Sequence, residues 1–276
     1  MFRRLPSTLP PDAVYPHDLN QLGLFINSVS QTKHINHPED FFRYTISTSE
    51  RHNDVHSEAV KACLRGEIVS RLAELGVERV WVPGLTCEKE KPGMPSLPIF
   101  ATKLDKLKQA KKVVVVFGKM IEDLGVWSWR ACRGEEGLER GSVVGFVRDL
   151  LGRFESEGDA EGAENETAVV VANPGQLIYS YKHDRAMTMS SWLALPRPSA
   201  LHGPAKIDEK MNFVEGSETP EKHVRWVMKN VVENQEIVSK DAKLYFIGIE
   251  DGATELVRML AERCEYSSKS KGPERG

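Results

Sequence analysis

The sequence is poor in the features that most readily mark an enzyme or a binding module. Its four cysteines, Cys63, Cys87, Cys132 and Cys264, are scattered and form no C-x-x-C pair. That spacing argues against a zinc site or a disulfide framework and suits a reducing compartment. No apolar run approaches the roughly 20 residues of a membrane span, and the basic N-terminus lacks the apolar core of a secretory signal. Neither sign of charge dominates: 37 Lys and Arg stand against 40 Asp and Glu, a formal net charge of −3. Such a balance gives no global drive toward nucleic acid or an anionic membrane. The basic run Lys103, Lys106, Lys108, Lys111 and Lys112 has no interleaved aromatic residues and reads as a solvated lead-in to a strand. G-x-G-x-x-G is missing, and Gly118-Lys119 is followed by Met120 where a phosphate loop needs Ser or Thr. No cofactor and no metal ion is expected.

The most informative lack lies near the C-terminal end. Leu244 to Ile247 reads as a buried strand, and from Ala253 the apolar residues Leu256, Val257 and Leu260 take up a helical period. Between them stands Gly248-Ile249-Glu250-Asp251-Gly252, a strand-to-helix turn with glycines at its first and fifth positions. That is the skeleton of the nucleophile elbow G-x-S-x-G, with Glu250 in place of the serine. All eight histidines precede Glu250, whereas hydrolases with this elbow place nucleophile, acid and histidine in that order. A triad in that order cannot be built. One enzymatic alternative is a carboxylate nucleophile, Glu250 or Asp251, served by an upstream histidine such as His183 or His202.

What is present is an α/β pattern. A helix is expected over 53–75, where Val60, Leu64, Ile68 and Leu72 step by three or four, and a short strand over 78–83. Residues 84–100 are proline-rich and read as loop. Val113-Val-Val-Val-Phe117 and Ala168-Val-Val-Val-Ala172 are continuous β-branched runs of the kind buried on both faces of a parallel sheet. A helix over 142–154 links them, and the acidic stretch 155–167 that follows it reads as a flexible loop. Thr219-Pro220 opens another helix, with proline at its first position. With Leu244, three buried parallel strands are expected, and ligands in such sheets bind beyond the strands' carboxyl ends. The long excursion 176–219 reads as an ordered cover over that edge. Tyr179, Tyr181, Trp192 and Arg197, residue types enriched at binding hot spots, make it the candidate partner surface. Leu22, Leu24, Ile26, Tyr44 and Ile46 could supply short strands within an otherwise irregular segment 1–50. Residues 267–276 read as a disordered tail.

Several blocks in order suggest a family. Phe117-Gly118 with Asp123-Leu-Gly-Val-Trp127, Ala172-Asn-Pro-Gly-Gln-Leu177, Ser191-Trp-Leu-Ala-Leu-Pro-Arg-Pro-Ser-Ala200 and Ile247-Gly-Ile-Glu-Asp-Gly-Ala253 resemble the Argonaute-binding protein 2-like domain. So does the opening from Leu9 to Phe25, and the resemblance spans almost the whole chain. It implies an α/β-hydrolase-like, three-layer sandwich around a central, mostly parallel sheet that stops after the elbow helix. The domain would cover 51–266, with 1–50 packed on it. The resemblance further implies a non-catalytic, protein-binding role in heterochromatin or small-RNA silencing, in the nucleus or the cytoplasm and not secreted. Its partners would be Argonaute-type proteins or subunits of fungal class II histone deacetylase complexes, and a homodimer is compatible with it. The family brings no catalytic residues. Gly248, Glu250, Asp251 and Gly252 stand as a degenerate elbow, with two acids where a small residue is more usual.

Overall fold

The computed structural model describes residues 5, 9–87, 93–156, 167–199 and 201–270. In chain order, a hairpin of β1 (Leu24–Ile26) and β2 (Thr32–His34) precedes the long helix α1 (Glu50–Glu74). Then come β3 (Val77–Val82), β4 (Thr86–Cys87), β5 (Leu97–Thr102), α2 (Leu104–Gln109) and β6 (Lys112–Phe117). Helices α3 (Trp129–Arg133), α4 (Gly137–Gly141) and α5 (Val143–Ser156) lead to β7 (Thr167–Ala172). A cover follows, built of β8 (Ile178–Ser180), β9 (Arg185–Met187) and α6 (Met189–Leu193). Helix α7 (Pro220–Val227), continued by a wide π-type turn over Met228–Val232, precedes β10 (Lys243–Gly248) and α8 (Asp251–Ser270).

The central sheet has the order β10-β6-β7-β5-β3-β4. It is mixed rather than mostly parallel. Only β10 with β6 and β6 with β7 pair in parallel, whereas β7–β5, β5–β3 and β3–β4 are antiparallel. The strand alternation sorts side chains to two cores, as the period of two requires. Val113, Val115 and Phe117 join Leu107, Val224, Val227, Leu256 and Met259 on one face. Val114 and Val116 join Leu64, Ile68, Leu72, Val143 and Val147 on the other. Helices α1 and α5 therefore cover one side, and α2, α7 and α8 the other. Two of the helices start on caps visible in the sequence: Ser49 accepts from His52 N at the start of α1, and Thr219 caps α7 ahead of Pro220.

Five expectations change. The stretch read as loop over 84–100 contains β4 and most of β5, and β5 is buried along its entire length. Strand β10, expected to be buried, is the edge of the sheet, and Leu244, Tyr245 and Ile247 are exposed there. Tyr44 and Ile46 form no strand and are exposed, while Leu24 sits fully buried in the α1-side core. Of the expected flexible loop, 155–156 belong to α5 and Thr167 to β7, and 157–166 lie outside the described residues. The tail's first residues, 267–270, continue α8, and 271–276 lie outside the described residues. No described helix is long and apolar enough to cross a membrane.

Candidate functional site

The turn after β10 has the geometry of an elbow. Glu250 takes a left-handed backbone, φ +49°, which a non-glycine residue adopts at a cost of roughly 1–3 kcal/mol. Its neighbours leave no room for larger side chains. A Cβ on Gly248 would lie 2.4 Å from Ala253 Cα, and one on Gly252 would lie 2.4 Å from the carbonyl oxygens of Phe117 and Gly118. The turn thus wedges between the ends of β10 and β6 and starts α8. Lys119 Nζ pairs with Glu250 at 2.7 Å, and Met120 N donates to Asp251 Oδ2 at 3.4 Å. The Glu250 side chain is 56% exposed.

The two histidines that sequence reasoning offered as a base are engaged elsewhere. His202 Nδ1 is bonded to Ser199 Oγ at 2.7 Å. His183 lines a crevice with Arg185 and Arg65, and none of the elbow residues lines it. Burial, with Arg185, Lys182 and His17 adding to it, lowers the His183 pKa. The Cys132 thiol is pushed up to about 12, by burial first and then by Glu122, which keeps it protonated and unreactive. Among the described residues, no three His, Cys, Asp or Glu side chains gather as metal ligands would.

Much of the candidate partner surface proves to be interior. Tyr179 is 2% exposed and its hydroxyl donates to Asp184. Trp192 is 5% exposed, and its Nε1 donates to Ala205 O at 2.7 Å. Both hold the cover together and are withdrawn from any partner. Arg197 is half-buried, and its backbone N donates to Asp12 Oδ2 at 2.8 Å. Tyr181, at 51% exposure, remains on the surface with Met189, Leu193 and Leu201. The cover is fastened to the N-terminal segment by Arg51, which pairs with Asp12 and donates to the carbonyls of Leu193 and Leu195 at the end of α6.

The family-scale comparison decides what this arrangement belongs to. The model of the Arb2 domain matches residues 15–271. The chain belongs to the Arb2 domain family. At the level of the family this is a domain related to chromatin and gene silencing. No curated relative and no solved structure gave a match.

Sequence reasoning missed a feature of the Arb2 domain that only the fold assembles. Asp123, buried just after β6, accepts from Arg65 Nη1 at 3.1 Å and from Trp129 Nε1 at 2.9 Å. Arg65 Nη2 donates to Glu58 Oε1 at 2.6 Å, Arg185 Nη2 donates to the same oxygen at 3.0 Å, and Ser191 Oγ donates to Glu58 Oε2 at 3.0 Å. Burial alone would raise the Glu58 pKa, but Arg65 and Arg185 outweigh it and hold the carboxyl below its usual range. Burial likewise works against the Arg65 charge, and Asp123 and Glu58 reverse that. The network ties α1, the loop after β6, α3, β9 and α6 together at the carboxyl edge of the sheet. Its trace in the sequence is weak, because Glu58 and Arg65 stand seven apart on α1 and read as a solvated helix face.

Proposed function

We propose that this chain is a non-catalytic, hydrolase-like protein-interaction domain acting in heterochromatin or small-RNA silencing. Its partners would be Argonaute-type proteins or subunits of histone deacetylase complexes. Family membership supports the setting. A mixed sheet with helices on both faces, and a left-handed residue in a tight strand-to-helix turn, supports the hydrolase-like ancestry. The observation that carries the non-catalytic reading is the elbow itself. Its middle residue is a carboxylate neutralised by Lys119, with no serine, and the histidines of the cover turn to other neighbours. The partner surface is best sought on the exposed part of the cover, at Tyr181, Leu193 and Leu201, with the open edge of β10 offering a second place for a strand of a partner or of another copy.

The test has two arms. Activated acyl esters should not be turned over, and a fluorophosphonate probe should not label the protein. Hydrolysis abolished by Glu250→Gln or Asp251→Asn alone would instead establish the carboxylate-nucleophile enzyme. In the second arm, Tyr181→Ala is expected to leave stability within about 0.5 kcal/mol. It should weaken association with an Argonaute-type or deacetylase subunit by more than about 1 kcal/mol, read by titration calorimetry. Normal binding by this variant and by Leu193→Ser would remove the cover from the interface.

A further inference from the structure

Strand β10 ends the sheet, and among the described residues no strand pairs with its outer side. Its hydrogen bonds alternate. Lys243 N donates to Lys111 O and Ile249 N to Phe117 O, so the odd-numbered residues bond to β6. Leu244 and Phe246 therefore turn their N–H and C=O groups outward, a ready template for another strand. Natural edges are usually blunted by a proline, a bulge or a charge in mid-strand, and Lys243-Leu-Tyr-Phe-Ile-Gly248 carries none of these. Its side chains leave it equally open. Tyr245 and Ile247 lie beside Val114 and Val116, on the face that α1 and α5 cover elsewhere, yet they are 49% and 36% exposed. The two ends of the strand differ in charge. Lys240 and Lys243 outweigh Asp241 at its start, and Glu250 and Asp251 outweigh Lys119 after its end.

We propose that two copies of this chain join through β10 in antiparallel register, making one continuous sheet across a two-fold axis. The charged ends decide the direction. Antiparallel pairing sets the basic start of each strand beside the acidic turn of the other, whereas parallel pairing would set like beside like. A two-fold axis normal to the sheet keeps side chains on their own faces, so paired residues lie an even number of positions apart. Centred on Tyr245, it lets Leu244 and Phe246 exchange both backbone bonds with their counterparts and points Lys240 toward the other copy's Glu250. Centred on Phe246, it would bring Asp241 toward Asp251 instead. With the first register the two Tyr245 rings meet as a close cross-strand aromatic pair. This pairing takes up only the second surface of the interaction reading, so its failure leaves the exposed cover residues untouched.

Sedimentation velocity over about a hundredfold range of concentration should show a monomer giving way to a dimer. Tyr245→Lys sets two like charges against each other on the axis and should weaken the dimer by about tenfold or more. Leu244→Pro removes one outward N–H while sparing the bonds to β6, and it should weaken the dimer similarly. Lys243→Glu and Glu250→Lys should each weaken self-association, and an equimolar mixture of the two variants should recover it. Backbone amide exchange, followed residue by residue, should slow at Leu244 and Phe246 as concentration rises. If Leu244→Pro proves unstable in urea, the exposed Tyr245 and the amide exchange carry the comparison. A monomer at every concentration overturns the proposal. So does a dimer in which those two amides exchange as fast as in the monomer. No recovery in the mixture would overturn the antiparallel direction.

Discussion

His223 shows how one side chain sets a condition on the whole fold. It is wholly buried on α7, with Nδ1 3.3 Å from Ser217 Oγ. Burial lowers its pKa from 6.5 to about 4. The unfolded chain therefore binds a proton that the folded chain refuses between those values. The stability that depends on a neutral His223 is complete above about pH 6.5 and is lost as pH falls toward 4, a total on the order of 3 kcal/mol. His56, also lowered by burial, acts in the same direction. Urea midpoints measured from pH 7 to pH 4 should fall steeply for the parent and less so for His223→Gln. Parallel curves would mean that the proton is taken up elsewhere. No sequence pattern marks this histidine, since its position on α7 reads as one more polar residue near a cap.

At the scale of elements, the elbow is a fitted joint, and its glycines are there for space. Gly252→Ala sets a Cβ against two backbone oxygens that cannot move without shifting β6, so a loss of about 2 kcal/mol or more is expected in urea unfolding. Glu250→Gly should stay within about 1 kcal/mol of the parent, because relief of the left-handed backbone offsets the greater freedom of the unfolded chain. Glu250→Val should cost about 1–2 kcal/mol more than the glycine variant. This element was legible from its two glycines, as were β6 and β7 from their valine runs and α1 from its apolar spacing. Strand β5 was not, because Pro98 within Leu97-Pro-Ile-Phe-Ala-Thr102 argues against an internal strand. The fold tolerates it because β7 pairs only with Phe100 and Ala101, which leaves the proline's stretch bonded on the β3 side alone. The edge position of β10 was equally hidden. Leu-Tyr-Phe-Ile reads as interior whatever its place in the strand order, and that order is a property of the crossovers rather than of the segment.

For the molecule as a whole, the buried ions at the carboxyl edge link α1, the loop after β6 and the cover. Arg65 serves both Glu58 and Asp123, so Arg65→Met should leave two buried carboxylates short of a cation and cost about 3–5 kcal/mol. Arg258→Gln, which breaks an exposed pair on α8, should cost no more than about 0.5 kcal/mol by the same denaturant measurement. Near-equal losses would mean that Arg65 contributes by packing alone. The strand order carries one more consequence, for the time course of folding. Strand β5 has β3 and β7 as its neighbours, and β6 lies beyond β7. The β3–β5 ladder forms between segments close in sequence, yet its free side has no partner until β7 has been synthesised, some 65 residues after the end of β5. Until then a strand that the fold buries along its whole length waits with one edge unpaired, so the nascent chain passes through an interval in which its first half depends on chaperones or on speed.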